Sequence, residues 1–395
     1  MPFAAENSSY VFFPGLYAPE MPYYTIKHRI KHQEDTMSEQ MIRRRNARVL
    51  QIGSVAIGGT NPIAIQSMLN TRSDDIEGSV RQAVELEKAG CQILRFAIPN
   101  QEAVALIPAI SAAVKLPLVA DIHFDYRLAL AAADAGISKI RINPGNIGDD
   151  QRVAEVAAAC RANGIPIRVG VNSGSVEKEI LAKHGGPTPA ALAESALYHV
   201  GLLEKFGFYD IAISLKSSGV QETIAAYRTI SEQCDYPLHL GVTEAGTERM
   251  GLVKSAIGIG SLLADGIGDT IRVSLTANPV QEIAAAQDIL RGLGLLEGRP
   301  TLVSCPTCGR TRIDLIGIAS EVERRLADVH APIKVAVMGC AVNGPGEARE
   351  ADIGIAGGDG NAVLIKKGQI IRKIPSERIV DELFEEIAAM LTEEN

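Results

Sequence analysis

At 395 residues, with 46 % hydrophobic and 22 % charged side chains, the chain has the make-up of an ordinary globular protein. It is too long for one average domain, though a single barrel can use about 250 residues. The net charge of -8 argues against a general nucleic-acid binder, and no apolar run approaches the roughly 18 to 20 residues of a membrane span, while a basic pocket for an anionic ligand stays open.

Residues 1–45 read as a poorly ordered extension or an upstream start. Met1 to Tyr24 mix Pro, Ser and aromatics without a period, and Lys27 to Arg45 are highly charged. The segment lacks the apolar core of a secretory signal, so no export is assigned and the expected location is cytoplasmic. Val49 to Gly58 then reads as a short hairpin at the base of a barrel.

Eight short apolar runs follow: 63–68, 92–98, 117–123, 139–145, 166–172, 210–216, 237–243 and 270–276. Ala/Leu/Glu-rich helical stretches separate them. Strand alternating with helix predicts a parallel sheet, and eight units predict a closed TIM (β/α)8 barrel over 46–292. An open doubly wound sheet is the runner-up, but no Gly-x-Gly-x-x-Gly follows an early strand.

Barrel sites form at the C-terminal ends of the strands. Here those ends carry Arg95, Asp121, His123, Arg141, Asn143, Arg168, Asn172, Lys216, Glu244, Arg272 and Ser274. A Ser, Thr or Asn taken singly reads as a turn former or helix cap. Arg95, Arg141, Arg168, Lys216 and Arg272 together do not. Like charges set in apolar strands repel, so an anion must offset them. Two phosphoryl groups would, since Arg grips phosphate bidentately. The segment Asn143-Pro-Gly-Asn-Ile-Gly148 could add backbone N–H donors.

Residues 293–300 read as a linker. Beyond it, 301–395 predicts a small α+β domain: strands at 301–304, 334–338, 352–356, 362–366 and 369–373, and helices at 314–328 and 377–391. The first helix is expected to bury Ile316, Ala319, Val322 and Leu326 on one face. Six cysteines in a chain this long do not make a disulfide scaffold. Cys91, Cys160 and Cys234 read as core or near-surface thiols. Cys305-Pro-Thr-Cys308 puts two thiolates on one tight loop, Cys340 adds a third, and Glu347 is the nearest fourth donor. Structural zinc prefers four Cys/His ligands. Three thiolates and one oxygen suit an iron–sulfur cluster with a replaceable corner better. On spacing alone the cluster leads, with a zinc pair and thiol redox chemistry as alternatives.

Ser304-Cys-Pro-Thr-Cys-Gly-Arg310 and Met338-Gly-Cys-Ala-Val-Asn-Gly-Pro-Gly-Glu347 resemble the signature of the bacterial 4-hydroxy-3-methylbut-2-enyl diphosphate synthases. So do Gln66-Ser-Met68, Asp121-Ile-His-Phe-Asp125, Arg141-Ile-Asn-Pro-Gly145, Pro237-Leu-His-Leu-Gly-Val-Thr-Glu244 and Asp269-Thr-Ile-Arg-Val-Ser274. One departure is Leu69, where that family usually has Thr. The resemblance implies a two-domain enzyme without the plant-type middle domain. It implies a 4Fe–4S cluster held by Cys305, Cys308, Cys340 and Glu347. The reaction it implies is two-electron opening of 2-C-methyl-D-erythritol 2,4-cyclodiphosphate with loss of the C3 hydroxyl. It further implies flavodoxin or ferredoxin as donor, and a homodimer in which each cluster caps the partner's barrel. Glu244 is the first candidate proton donor and His123 the second. One rival is a phosphate-binding barrel aldolase or isomerase with a zinc appendage, in which Lys216 is a Schiff-base lysine. Another is a non-enzymatic iron–sulfur carrier, which leaves the ring of cations unexplained.

Overall fold

The computed structural model describes residues 42–393 apart from 297 and 343. The expected N-terminal extension lies almost wholly outside the described residues. Arg44 and Arg45, at its end, are pinned to the barrel: Arg44 Nη2 lies 2.8 Å from Asp269 Oδ1, and Arg45 donates to the Cys234 and Tyr236 carbonyls.

The hairpin forms as expected from β1 (Leu50–Ile52) and β2 (Val55–Ile57), paired antiparallel. Leu50, Ile52 and Ile57 pack against Ala64, Ile93, Val119 and Ala212, which face inward at the foot of the barrel strands. The hairpin is therefore an apolar plug.

The barrel proper runs β3 (Ala64–Met68), α1 (Ile76–Lys88), β4 (Ile93–Ala97), α2 (Leu106–Ser111), β5 (Leu118–Asp121), α3 (Tyr126–Asp134) and β6 (Lys139–Ile142). It continues with α4 (Pro144–Ile147), α5 (Asp150–Ala162), β7 (Ile167–Asn172), α6 (Lys178–His184), α7 (Pro189–Glu204) and β8 (Ile211–Lys216). It ends with α8 (Val220–Gln233), β9 (His239–Leu240), α9 (Glu248–Ala264), β10 (Thr270–Ile271) and α10 (Pro279–Gly292). The strand order is β8-β7-β6-β5-β4-β3-β10-β9, all parallel, and a parallel bridge between Ile213 and Leu238 completes the ring. Helix starts follow local chemistry: Asp75, Thr188 and Asn278 cap α1, α7 and α10, and Pro189 and Pro279 occupy first-turn positions where no N–H is needed.

The seventh and eighth strands are shorter than the apolar runs suggest. Only His239–Leu240 and Thr270–Ile271 keep ladder geometry, because Gly241 to Thr243 and Arg272 to Ser274 leave the ladder as they reach the mouth.

The second domain comprises β11 (Thr301–Ser304), α11 (Leu315–Leu326), β12 (Lys334–Met338), α12 (Gly344–Glu347), β13 (Ile353–Gly358), β14 (Asn361–Lys366), β15 (Gln369–Pro375) and α13 (Ile379–Glu393). Its sheet runs in chain order, parallel for β11-β12-β13 and antiparallel onward. The buried face of α11 corrects the expectation: Ile316 is 68 % exposed, and Leu315, Val322 and Leu326 point inward. Asp314 caps the helix through the Gly317 N–H, which turns Leu315 rather than Ile316 toward the sheet.

Candidate active site

Strand alternation aims one set of side chains down the barrel axis, and most of that set is polar. Gln66, Arg95, Asp121, Lys139, Arg141, Arg168 and His239 are all buried. An eight-stranded barrel usually fills this space with Val, Ile and Leu. Here that packing is confined to the plug, and charge begins one layer above it.

Asp121, at the end of β5, organises the cations on either side. Arg141 donates from Nη1 to Asp121 Oδ1 at 3.1 Å, and Arg95 Nε lies 3.7 Å from Oδ2. Burial alone would push the Asp121 carboxyl up, but Arg95, His123 and Arg141 close by outweigh it and hold it well below the usual carboxylate range. Arg141 Nη2 also donates to the Gly170 carbonyl at 3.2 Å and to Asn172 Oδ1 at 3.4 Å. Gly170 is there for space: a Cβ would sit 2.3 Å from Arg141 Nε. Asn143 accepts from Gly145 N in its own loop and donates to Ser175 Oγ in the segment after β7.

A second group lines one cavity at the mouth: Arg95, Ser214, Lys216, His239, Arg272 and Ser274. Arg95 belongs to both groups. Its Nε and Nη2 approach Met68 Sδ at 3.2 and 2.9 Å, and Arg272 Nη1 reaches the same sulfur at 3.7 Å. Burial, with Arg95 and Arg141 close by, pushes the Lys216 ammonium down to about 7. Burial likewise brings Arg95 down to about 10 despite Asp121.

Arg168 is wholly buried, and none of its three guanidinium nitrogens finds a hydrogen-bond partner among the described residues. Lys139 Nζ and both amide atoms of Gln66 are in the same position. A search of strand ends misses Lys139, although it stands two residues before Arg141 in β6 and must therefore share its face. It also misses Glu282, a 4 % exposed carboxylate on α10 that reaches Arg272 Nη2 at 3.3 Å. No local signal separates Glu282 from an ordinary first-turn acid.

The two candidate proton donors lie at the edge of this arrangement. His123 is half exposed, with Nε2 3.7 Å from Asp121 Oδ2. Glu244 is exposed and holds a left-handed backbone, φ 53°, ahead of the α9 cap at Thr247. It therefore stands ahead of α9 and is not one of that helix's first-turn carboxylates. A non-glycine residue in this region stores backbone strain, a feature that concentrates at functional loops.

In the second domain, β11 and β12 deliver the cysteines side by side. Cys305 accepts from the Gly339 N–H at 3.2 Å through its sulfur, and Gly339 precedes Cys340. The Cys308 loop is tied to the same glycine, since Arg312 N donates to Gly339 O at 2.9 Å. Cys308 is exposed, and hydrogen bonds from the Arg310 backbone and side chain draw its thiol down. Glu347, on α12, lines one cavity with Cys305, Pro306 and Met338. Gly344 lets that short helix lie on the sheet: a Cβ would be 2.8 Å from Ala356 Cβ. Among the described residues, no three His, Cys, Asp or Glu side chains are drawn close enough to hold a single metal ion. Cys91 and Cys160 are buried far from this chemistry in the barrel core, and Cys234 is partly buried beside Arg45.

Two family models match the chain, the GcpE TIM-barrel domain over residues 47–287 and the GcpE protein C-terminal domain over 301–389. A relative from Caldanaerobacter subterraneus, named 4-hydroxy-3-methylbut-2-en-1-yl diphosphate synthase (flavodoxin), is 57 % identical over 89 % of this chain and 99 % of its own. Relatives of the same name from Fusobacterium nucleatum and Geobacillus thermodenitrificans are 59 % and 54 % identical, over 86 % and 90 % of this chain and 96 % and 95 % of theirs. These relatives do not favour the aldolase or isomerase alternative. Matched in both domains and nearly end to end by such relatives, the chain belongs to the GcpE family of 4-hydroxy-3-methylbut-2-en-1-yl diphosphate synthases, enzymes of non-mevalonate isoprenoid biosynthesis.

Proposed function

We propose that the chain opens 2-C-methyl-D-erythritol 2,4-cyclodiphosphate reductively at C2, expels the C3 hydroxyl as water and releases (E)-4-hydroxy-3-methylbut-2-enyl diphosphate. The observation that carries this reading is the charge balance of the barrel. Among the described residues, Arg95, Arg141, Arg168, Lys216 and Arg272 share two carboxylates, Asp121 and Glu282. A diphosphate supplies the missing negative charge.

In this reading residues 46–292 bind substrate. Arg95, Arg141, Arg168, Lys216 and Arg272 grip the phosphoryl oxygens, and Asn143, Asn172 and Ser274 add hydrogen bonds. Asp121 keeps Arg95 and Arg141 oriented. When the C2–O bond breaks, charge develops on the diphosphate, and cations already in place stabilise it without reorganising. Glu244 delivers the proton that lets the C3 hydroxyl leave as water, with His123 the second candidate. Residues 301–395 would hold a 4Fe–4S cluster through Cys305, Cys308, Cys340 and Glu347. The donor set fits: three thiols on two loops joined at Gly339, and a carboxylate on the cavity that Cys305 lines. Such a group, when bound, supplies the two electrons from a low-potential carrier. Relatives named for flavodoxin make flavodoxin the first donor to test and ferredoxin the second. No described helix is long and apolar enough to cross a membrane, and a cytoplasmic setting suits a metabolic enzyme of this kind.

A homodimer completes the proposal, each cysteine domain serving the partner's barrel. The test is subunit exchange under anaerobic conditions. Cys340→Ser and Glu244→Gln proteins, each inactive alone with reduced flavodoxin, should recover about a quarter of wild-type turnover when mixed, the share expected from random pairing. No recovery after demonstrated exchange would place the site within one chain. Failure of the wild type to turn over the cyclic diphosphate with either carrier would defeat the reading as a whole.

A further inference from the structure

Arg272 is held from behind. It leaves β10 at the barrel mouth and lines the cavity with Ser274 and Lys216. Its Nη2 lies 3.3 Å from Oε2 and 3.5 Å from Oε1 of Glu282. Glu282 makes a further contact, as Oε1 accepts from the Leu275 backbone N–H at 3.0 Å. Leu275 directly follows Ser274, so one buried carboxylate on α10 fixes both the cation and the turn that presents the serine. The rest of the guanidinium is left uncommitted. Arg272 Nε is buried with no hydrogen-bond partner among the described residues, and Nη1 has only the thioether of Met68, at 3.7 Å. A weak sulfur acceptor yields readily to a phosphoryl oxygen.

We infer that Glu282 is a positioning residue for substrate, acting through Arg272: it takes one nitrogen of the guanidinium, turns the others toward the diphosphate, and locks the Ser274–Leu275 turn. It does not touch the substrate. The inference rests on the reading of Arg272 as a diphosphate ligand. It differs from a plain stability role, because a buried pair that merely stabilised the fold would leave KM unmoved.

The experiment uses the reconstituted full-length enzyme in five forms: wild type, Glu282→Gln, Glu282→Asp, Arg272→Met and the double variant Glu282→Gln/Arg272→Met. Gln keeps an acceptor for Leu275 N and removes the charge. The expected result is a KM for the cyclic diphosphate raised roughly tenfold or more in Glu282→Gln, with kcat within about twofold. Glu282→Asp should recover part of the loss. In the Arg272→Met background, Glu282→Gln should add nothing to KM, since the group it positions is gone. The double variant also removes both charges of the pair, which guards against loss of folding from a single buried charge. An unchanged or lowered KM in Glu282→Gln, or losses that simply add in the double variant, would overturn the inference while leaving Arg272 as a ligand. An unchanged KM in Arg272→Met would instead remove the reading beneath it.

Discussion

The barrel mouth and the cysteine loops are built on opposite plans. In the barrel, the charged side chains along the axis are buried and several hold one another: Asp121 spans Arg95 and Arg141, Asn172 backs Arg141, and Glu282 backs Arg272. In the second domain, Cys308 is exposed and Cys305 only partly buried, and the loops carrying them are joined by hydrogen bonds at the Gly339 backbone, one of them to the Cys305 sulfur. The first region has its electrostatics in place before a ligand arrives. In the second, no three His, Cys, Asp or Glu side chains among the described residues stand close enough to hold one metal ion. Substrate recognition and electron supply should therefore be separable by mutation.

The most severe break of that comparison is Cys340→Ser. On the proposed reading it should remove the visible absorption of anaerobically reconstituted protein and lower turnover by at least about a thousandfold, since a cluster ligand and the electron path would be lost together. Calorimetric affinity for the cyclic diphosphate should stay within about threefold of wild type, because the cations proposed to bind it belong to the barrel. A parallel collapse of affinity would show that the mouth is completed by the cysteine domain even before electrons flow.

A smaller effect sharpens the barrel side. Lys216 binds an anion only as the ammonium, and burial brings it down to about 7. The charged fraction is full below that value and falls as pH rises through it. The kcat/KM for the cyclic diphosphate should therefore decline by up to about tenfold per pH unit above 7, a limb that reports the free enzyme. In Lys216→Arg, whose guanidinium stays charged, the limb should vanish. A limb that survives in this variant assigns the titration to another group.

How much of this is legible in the sequence differs between the two regions for physical reasons. Barrel strands announce themselves by apolar runs, so strand order, the hairpin plug and the strand-end cations are all readable. Cys305, Cys308 and Cys340 stand in short local patterns, and β11 and β12 begin and end where their sequences suggest. Contacts made by tertiary packing are not readable. Glu282 meets Arg272 only because the first turn of α10 returns to the chain that leaves β10, and helical periodicity puts Ile316 on the wrong face, where Leu315 packs inward instead. Alternation does put Lys139 under Arg141, but a single lysine at the start of an apolar strand lies outside any pattern of strand-end residues.

Lys139 supplies the smallest prediction and the one most particular to this shaft. It is wholly buried, and desolvation together with Arg168 and Arg95 holds it well below the 10.5 of a free lysine. Folding must then strip a proton that the unfolded chain binds at any pH between the two values. Across that window stability rises with pH, by about 1.4 kcal/mol per unit. The penalty is greatest at the acid end and disappears above about 10.5, where the unfolded chain has lost the proton too. Lys139→Met, similar in length and without a charge, should therefore stabilise the protein by about 1–4 kcal/mol at neutral pH, and the gain should shrink toward pH 10. Denaturant midpoints at two pH values measure it. A variant less stable at both would mean that the amine is held charged, with an anionic partner inside the barrel to match it.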